Sequence, residues 1–93
     1  MKQNEKKTQN DILKYLKNLP NCFVQRREAG GFAYKKGLPD IYCVYNGIHY
    51  EIEVKDANGE TSVMQDKYKD ILTKAGCVYI LAKSLEDVLQ YIK

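Results

Sequence analysis

The chain has 93 residues, of which 44% are hydrophobic, and its formal net charge is +3. A chain of that length forms a single domain near the lower end of what folds alone, with room for one modest core. The mildly basic charge is compatible with a nucleic-acid partner. The longest unbroken apolar run has six residues, which excludes a membrane-spanning helix.

The cysteine content and the N-terminal sequence indicate the cellular compartment in which the protein is found. Cys22, Cys43 and Cys77 are odd in number and show no Cys-x-x-Cys spacing, and the chain has one histidine. We therefore expect neither a disulfide framework nor a zinc site. The polar residues 1–5 precede no apolar stretch, so a secretory signal peptide is not expected either. These features predict a cytoplasmic protein.

The first predicted element is an amphipathic helix over residues 4–19, with Pro20 just beyond its end. Its apolar stripe consists of Ile12, Leu13, Leu16 and Leu19. Extended backwards, the stripe reaches Glu5 on the core-facing side of the helix. Glu5 is therefore a candidate carboxylate aimed at the sheet. An acid in a first turn also compensates the helix dipole, and that alternative stays open.

A short strand over residues 22–26 and a Gly- and Lys-rich loop over residues 28–37 come next. Two further strands, residues 40–45 and 48–55, flank Asn46-Gly47. Asn-Gly is the strongest short-range signal for a two-residue hairpin turn. Counting outwards from that turn pairs Ile41 with Ile52 and places Asp40 opposite Glu53. Because side chains alternate along a strand, Lys55 shares a face with Glu53.

The opposed pair Asp40 and Glu53 should be unfavourable by itself. Directly opposite Cβ atoms lie about 5 Å apart, and like charges there destabilise a sheet. At an effective dielectric of about 20 the repulsion is roughly 3 kcal/mol. A divalent cation or Lys55 could offset it. Hard cations bind carboxylate oxygens and polarise phosphoryl groups, so the arrangement indicates phosphodiester hydrolysis.

The C-terminal part predicts helix, strand and helix. Ser62 precedes the second helix, and Gly76 stops it. Its apolar face comprises Met64, Tyr68, Ile71, Leu72 and Ala75. Residues 77–82 predict a buried strand that runs parallel to residues 48–55 through the intervening helix. Ser84 is predicted to cap a last helix. The inward face of that helix comprises Leu85, Val88, Leu89 and Ile92.

Three short motifs together resemble one nuclease superfamily. Gly37-Leu38-Pro39-Asp40, Glu53-Val54-Lys55 and Ser62-x-x-Gln65 are similar to motifs of the PD-(D/E)XK nucleases. The resemblance is greatest to the VRR-NUC branch, in particular its small stand-alone phage and bacterial forms. It extends from about residue 5 to residue 84, so we expect residues 1–93 to form a single VRR-NUC-like nuclease domain. The fold expected is α/β with a restriction-endonuclease-like core of order αβββαβα, a mixed four-stranded sheet flanked by helices.

The resemblance also implies roles for individual residues. Asp40, Glu53 and the backbone carbonyl of Val54 would bind Mg²⁺ or Mn²⁺. Lys55 would position or activate water, and Glu5 and Gln65 match the places of recurring active-site residues in the family. Because Ser62-x-x-Gln65 also fits a capping box, Gln65 is alternatively a helix-capping residue.

Basic residues flank the loop before Pro39. They are candidates for phosphate contacts, although each is equally compatible with a solvated loop. The set is Arg26, Arg27, Lys35 and Lys36. His49, the sole histidine, could be taken for a general base. Its predicted partner across the hairpin is Val44, away from Asp40, which favours an ordinary strand histidine instead.

The function expected is a divalent-metal-dependent, structure-selective DNA endonuclease. The resemblance implies a homodimer that resolves Holliday (four-way) junctions, in the cytoplasm of a bacterial host cell if the gene belongs to a phage. One alternative is a non-catalytic nucleic-acid-binding module with the same fold. Another is a metal-free interaction domain.

Overall fold

The computed structural model describes residues 3–28 and 35–93, so much of the predicted loop over residues 28–37 lies outside it. The elements are α1 (Gln3–Lys17), β1 (Cys22–Arg26), β2 (Ile41–Tyr45), β3 (Ile48–Val54), α2 (Val63–Lys74), β4 (Val78–Ala82) and α3 (Leu85–Leu89). This is the predicted order αβββαβα. None of the helices in the described ranges is long and apolar enough to cross a membrane.

The hairpin forms in the predicted register. Asn46 and Gly47 have φ values of 52° and 80°, the left-handed backbone that an Asn-Gly turn requires. Ile41 lies opposite Ile52, as expected. The regular pairing begins at Ile41 rather than Asp40. Asp40 therefore stands at the entrance to β2.

The four strands form one mixed sheet in the order β1-β2-β3-β4. β1, β2 and β3 are antiparallel neighbours, whereas β3 and β4 run parallel with α2 as the crossover. In that parallel pair Glu53 lies beside Leu81 and Val54 beside Ala82. The carboxyl end of β3 is thus held between β2 and β4.

The core lies on the sheet face that α1 and α3 cover. Along β3 its members are Tyr50, Ile52 and Val54, the face expected from alternation. The other fully buried apolar members include Ile12, Leu16, Ile41, Cys43, Ile80, Ala82, Val88 and Ile92. The first helix ends at Lys17, two residues earlier than predicted. The chain approaches Pro20 there, and the residue before a proline disfavours helical backbone.

α2 differs from the expectation of a packed apolar face. Ser62 and Gln65 form the expected capping box, and Gly76 has a φ of 106° just past the end. No residue of α2 is buried, and Ile71 is 46% exposed. α2 packs against β4, which is the last strand of the sheet, and therefore covers only its edge. Its apolar residues consequently remain partly open to solvent.

α3 begins after Ser84, but the Ser84 side chain makes no capping hydrogen bond. The first turn is fastened instead by Asp87, whose Oδ2 accepts a 2.8 Å hydrogen bond from the amide of Lys83. Val88 and Ile92 are buried as predicted. The predicted cap residue is therefore correct in position and wrong in its contact.

Candidate metal and active site

Asp40 is fixed on both its main chain and its side chain. The amide of Arg27 donates to the Asp40 carbonyl oxygen at 2.8 Å. Oδ2 of Asp40 accepts a hydrogen bond from the amide of Val54, also at 2.8 Å. The carboxylate is therefore held against the end of β3, beside the Glu-Val-Lys segment.

Gly37 explains how the Gly-x-Pro-Asp segment reaches this position. It has a φ of 97°, and a Cβ atom added there would lie 2.8 Å from the main-chain carbon of Met64. Only glycine tolerates both the left-handed backbone and so close an approach. The segment consequently lies directly against the first turn of α2, the turn that carries Gln65.

Glu53 is a buried carboxyl group with incomplete hydrogen bonding. It is 2% exposed, and its Oε1 has no hydrogen-bond partner among the described residues. Burial first, and then the charge of Asp40 and a hydrogen bond to that side chain, raise the pKa of Glu53 to about 9. Near neutral pH the carboxyl group of Glu53 is therefore protonated and carries no charge. A divalent cation can take the place of that proton.

Lys55 supplies a positive charge that acts on Glu53. Its main-chain amide donates to the carbonyl of Ala82 at 3.0 Å, which anchors the residue just past the end of β3. The ammonium charge partly opposes the rise in the pKa of Glu53. The effect of Lys55 is smaller than the effects of burial and of Asp40, so the pKa of Glu53 stays raised. The site can therefore accept further positive charge.

Glu5 reaches the site from the first turn of α1. Its Oε1 accepts a 3.3 Å hydrogen bond from the amide of Asp56, on the loop that follows β3. Its negative charge adds slightly to the rise in the pKa of Glu53. Gln9, one turn further along, is 2% exposed, which confirms that this stripe faces inwards. Glu5 thus contacts the loop beyond Lys55, and its catalytic role stays a prediction.

Gln65 combines the two roles that the sequence left as alternatives. Its Oε1 accepts a 2.8 Å hydrogen bond from the amide of Ser62, which completes the capping box. Its Nε2 donates to Oε2 of Glu53 at 3.2 Å. One side chain therefore caps α2 and orients a site carboxyl group at the same time.

The four basic candidates differ in their surroundings. Lys35 and Lys36 are exposed, and Arg26 pairs with Glu28 at the surface. Arg27 instead makes a bidentate ion pair with the buried Glu51, at 2.6 and 3.1 Å. Phosphate contacts stay a prediction for all four. Arg27 already has an intramolecular partner for its charge.

A second polar cluster, His49, Glu51 and Cys77, lies on the same sheet face. The three offer metal-ligand atoms within 4.8 Å of one another. Glu51 is 1% exposed, yet both its oxygens are engaged, by Arg27 and by Nε2 of His49 at 2.7 Å. His49 lies opposite Val44 as predicted and is held by Glu51. The cluster is a possible metal-binding group whose carboxylate is already neutralised.

The burial of Glu51 was not foreseen from the sequence. Alternation along β3 placed it on the face opposite the core, where a strand glutamate is normally solvated. The only signal was its position two residues before Glu53. That spacing put both carboxylates on one face, where each would need its own partner.

Comparisons with known proteins bear on the fold. No family profile matches the chain, and no curated protein is significantly similar to it. A solved structure described as "VRR_NUC domain" has 20% sequence identity and a TM-score of 0.78, covering 97% of this chain and 98% of that one. Another, "VRR_NUC domain protein", has 24% identity and a TM-score of 0.70, covering 95% and 84%. The chain has the fold of these VRR_NUC structures, as the sequence predicted.

Proposed function

We propose that this protein is a divalent-metal-dependent DNA endonuclease. The observation that carries the proposal is the pair Asp40 and Glu53: two adjacent carboxyl groups, one buried with its pKa raised to about 9 and one oxygen unpartnered. A structural carboxyl group is normally fully hydrogen-bonded when buried. A perturbed, under-satisfied acid beside a second acid is typical of a functional site.

The donor set fits a hard cation. Mg²⁺ and Mn²⁺ prefer oxygen ligands, and Oε1 of Glu53 is a buried oxygen that lacks a partner. Asp40 and Glu53 would hold the ion, with the carbonyl of Val54 as the further ligand that the sequence resemblance implies. When bound, such an ion stabilises negative charge on a phosphoryl oxygen and lowers the pKa of water.

Lys55, Gln65 and Glu5 each have a different role in the proposed mechanism. Lys55, next to the two acids, positions the attacking water and balances charge in the transition state. Gln65 keeps the carboxyl group of Glu53 oriented through Nε2. Glu5 accepts from the Asp56 amide, so it holds the loop after Lys55 and adds a third acid at the margin of the site.

DNA is the proposed substrate because exposed cations lie near the site. Lys35 and Lys36 precede Asp40 on the loop, and Arg26 lies at the end of β1. Such residues contact phosphates and position the duplex without reading its sequence. A structure-selective nuclease needs this kind of contact. The proposed setting is the bacterial cytoplasm.

The finer proposal is a homodimer that resolves four-way junctions. Phe23 is 59% exposed and Val44, directly opposite it on the sheet, is 38% exposed. Val63, at the start of α2, is 84% exposed. Large apolar groups open to solvent are candidates for an interface, and aromatic residues are enriched in such surfaces.

The rival function is a non-catalytic nucleic-acid-binding module. One observation favours it: Glu53, with its pKa raised to about 9, is neutral near pH 7, so the charge repulsion between the two acids is relieved without any metal. Calorimetric titration with Mn²⁺ separates the two, because the module has no reason to bind the ion.

The test of the proposed function is incubation with labelled linear, flapped and four-way DNA, with Mn²⁺ and with a chelator. We expect cleavage that needs Mn²⁺ and is fastest on the four-way substrate. No cleavage of any substrate, together with no Mn²⁺ binding, would reject the nuclease proposal in favour of the module.

A further inference from the structure

Arg27 follows β1 directly and contacts both the Pro39-Asp40 segment and strand β3. Its Nη1 donates to the carbonyl of Pro39 at 2.9 Å and to Oε1 of Glu51 at 2.6 Å. Nη2 donates to Oε2 of Glu51 at 3.1 Å, and the main-chain amide donates to the carbonyl of Asp40. One residue therefore binds both carbonyls of Pro39-Asp40 and both oxygens of Glu51.

We propose that Arg27 and Glu51 are positioning residues for the metal ligands Asp40 and Glu53, an inference that rests on the proposed function. Asp40 enters from the loop before β2, whereas Glu53 is on β3. Glu51 lies two residues before Glu53 on the same strand. The Arg27–Glu51 pair thus ties the segment that carries one ligand to the strand that carries the other.

The link is rigid. Glu51 is 1% exposed, and the guanidinium of Arg27 lies 4.7 Å from the centre of the Tyr42 ring. A bidentate arginine–carboxylate pair fixes orientation as well as distance. Nε2 of His49 lies 2.7 Å from Oε2 of Glu51, which can accept a hydrogen bond from it. Neither partner can turn without breaking several contacts.

The pair is not expected to contribute much to the free energy of unfolding. Taking two charges out of water offsets most of their attraction, so apolar residues of similar volume often replace a buried ion pair without loss. What apolar residues cannot reproduce is the hydrogen bond from Nη1 to the carbonyl of Pro39. Through that contact the side chain of Arg27, in addition to its main-chain amide, holds the segment bearing Asp40.

A double variant, Arg27→Met/Glu51→Met, separates positioning from stability. It removes the link without leaving an unpaired buried charge. The readout is Mn²⁺ affinity measured by calorimetry without DNA, since outer-shell partners of metal ligands typically affect affinity about ten- to a hundredfold. We expect a loss in that range, and cleavage that needs correspondingly more Mn²⁺. The control Asp70→Met/Lys74→Met, which removes an exposed ion pair on α2, should leave affinity unchanged.

Unchanged Mn²⁺ affinity in a folded double variant would overturn the inference, as would a defect confined to DNA binding. If the double variant does not fold, Arg27→Lys decides. Lysine keeps the charge but cannot bind both Glu51 oxygens and Pro39 at once, so affinity should still fall; wild-type affinity in Arg27→Lys would overturn the inference. A wild-type protein that neither binds Mn²⁺ nor cleaves DNA rejects the proposed function first, and the positioning inference with it.

Discussion

The amide of Val54 donates a 2.8 Å hydrogen bond to Oδ2 of Asp40. The central residue of Glu53-Val54-Lys55 therefore fixes the carboxylate of the other motif. Two stretches that are separated by a hairpin in sequence form one unit through this contact. The candidate site is built around that unit.

Asp40→Asn should abolish cleavage while keeping the fold. The asparagine Oδ1 can still accept from Val54, so the segment stays in place, but the metal loses a charged ligand. A metal ion supplies several kcal/mol of transition-state stabilisation, so we expect a rate loss of at least about a thousandfold. Cleavage is measured on labelled four-way DNA at saturating Mn²⁺.

DNA binding by Asp40→Asn should survive or tighten, because the variant repels phosphate less. Asp70→Asn is the matched control, since Asp70 is an exposed aspartate on α2 that pairs with Lys74. It should cleave at the wild-type rate. Full activity in Asp40→Asn would be incompatible with the proposed mechanism.

Metal binding should release a proton from Glu53 near neutral pH. Its pKa is raised from 4.5 to about 9, so the free protein is protonated there and the metal-bound form is not. Calorimetry in buffers of different ionisation enthalpy should detect about one proton per bound ion at pH 7. Mn²⁺ affinity should rise with pH up to about pH 9. Absence of proton release would show that Glu53 is already ionised.

The same shift sets the pH dependence of metal-free stability. A folded-state pKa above the unfolded one means that the stability contribution is complete below about pH 4.5 and is lost as pH rises through about 9. Chemical unfolding across this window should show decreasing stability. In Glu53→Gln, which cannot ionise, that decrease should be smaller.

The hairpin and the proximity of Asp40 to Glu53 were predictable because both depend on residues close together in the sequence. An Asn-Gly turn fixes the register of its two strands, and alternation then places Glu53 and Lys55 on one face. No long-range knowledge is needed to bring Asp40 near Glu53. The capping box of Gln65 is local in the same sense.

The Arg27–Glu51 pair was not predictable in this way. It joins residues 24 apart in the chain, a separation that no short sequence pattern covers. The position of Arg27 beside the loop before Pro39 made it a candidate for phosphate contacts, which is a different role. Likewise, the exposure of α2 depends on how far the sheet extends beneath it, which periodicity does not report.

Glu5→Gln should distinguish a functional carboxylate from a structural one. Glutamine keeps an oxygen that can accept from the amide of Asp56 but removes the charge. We expect a clear loss of cleavage with an unchanged melting temperature. A fully active Glu5→Gln would mean that Glu5 serves only the loop contact and the helix dipole, and Glu5→Ala would then lower stability rather than activity.

Gln65→Glu should separate helix capping from site chemistry. Glutamate also serves in a capping box, so α2 should keep its stability within about 1 kcal/mol. The donor to Oε2 of Glu53 is lost, however, and a further carboxylate faces the pair. We expect cleavage to fall and the pKa of Glu53 to rise further. Gln65→Ala should instead lose both the cap and the contact, and wild-type activity in Gln65→Glu would assign Gln65 to capping alone.

The active species should be a symmetric homodimer that cuts two strands of a four-way junction. One site cuts one strand, and a domain of 93 residues has room for one such site. A two-fold dimer presents two sites in symmetric opposition, which matches the near two-fold symmetry of a junction. Phe23→Asp, which places a charge in the exposed apolar patch opposite Val44, should shift the protein to monomers in light scattering at micromolar concentration.

Junction resolution should fall with dissociation, whereas nicking of linear DNA should persist, because each monomer keeps its own Asp40 and Glu53. Val63→Asp is the comparison, since it adds the same charge to an even more exposed apolar residue on α2. It should remain dimeric. Dissociation by Val63→Asp but not by Phe23→Asp would move the interface to α2. A strictly monomeric wild type that cuts linear duplex as readily as junctions would remove the junction-specific proposal and leave the general nuclease proposal in place.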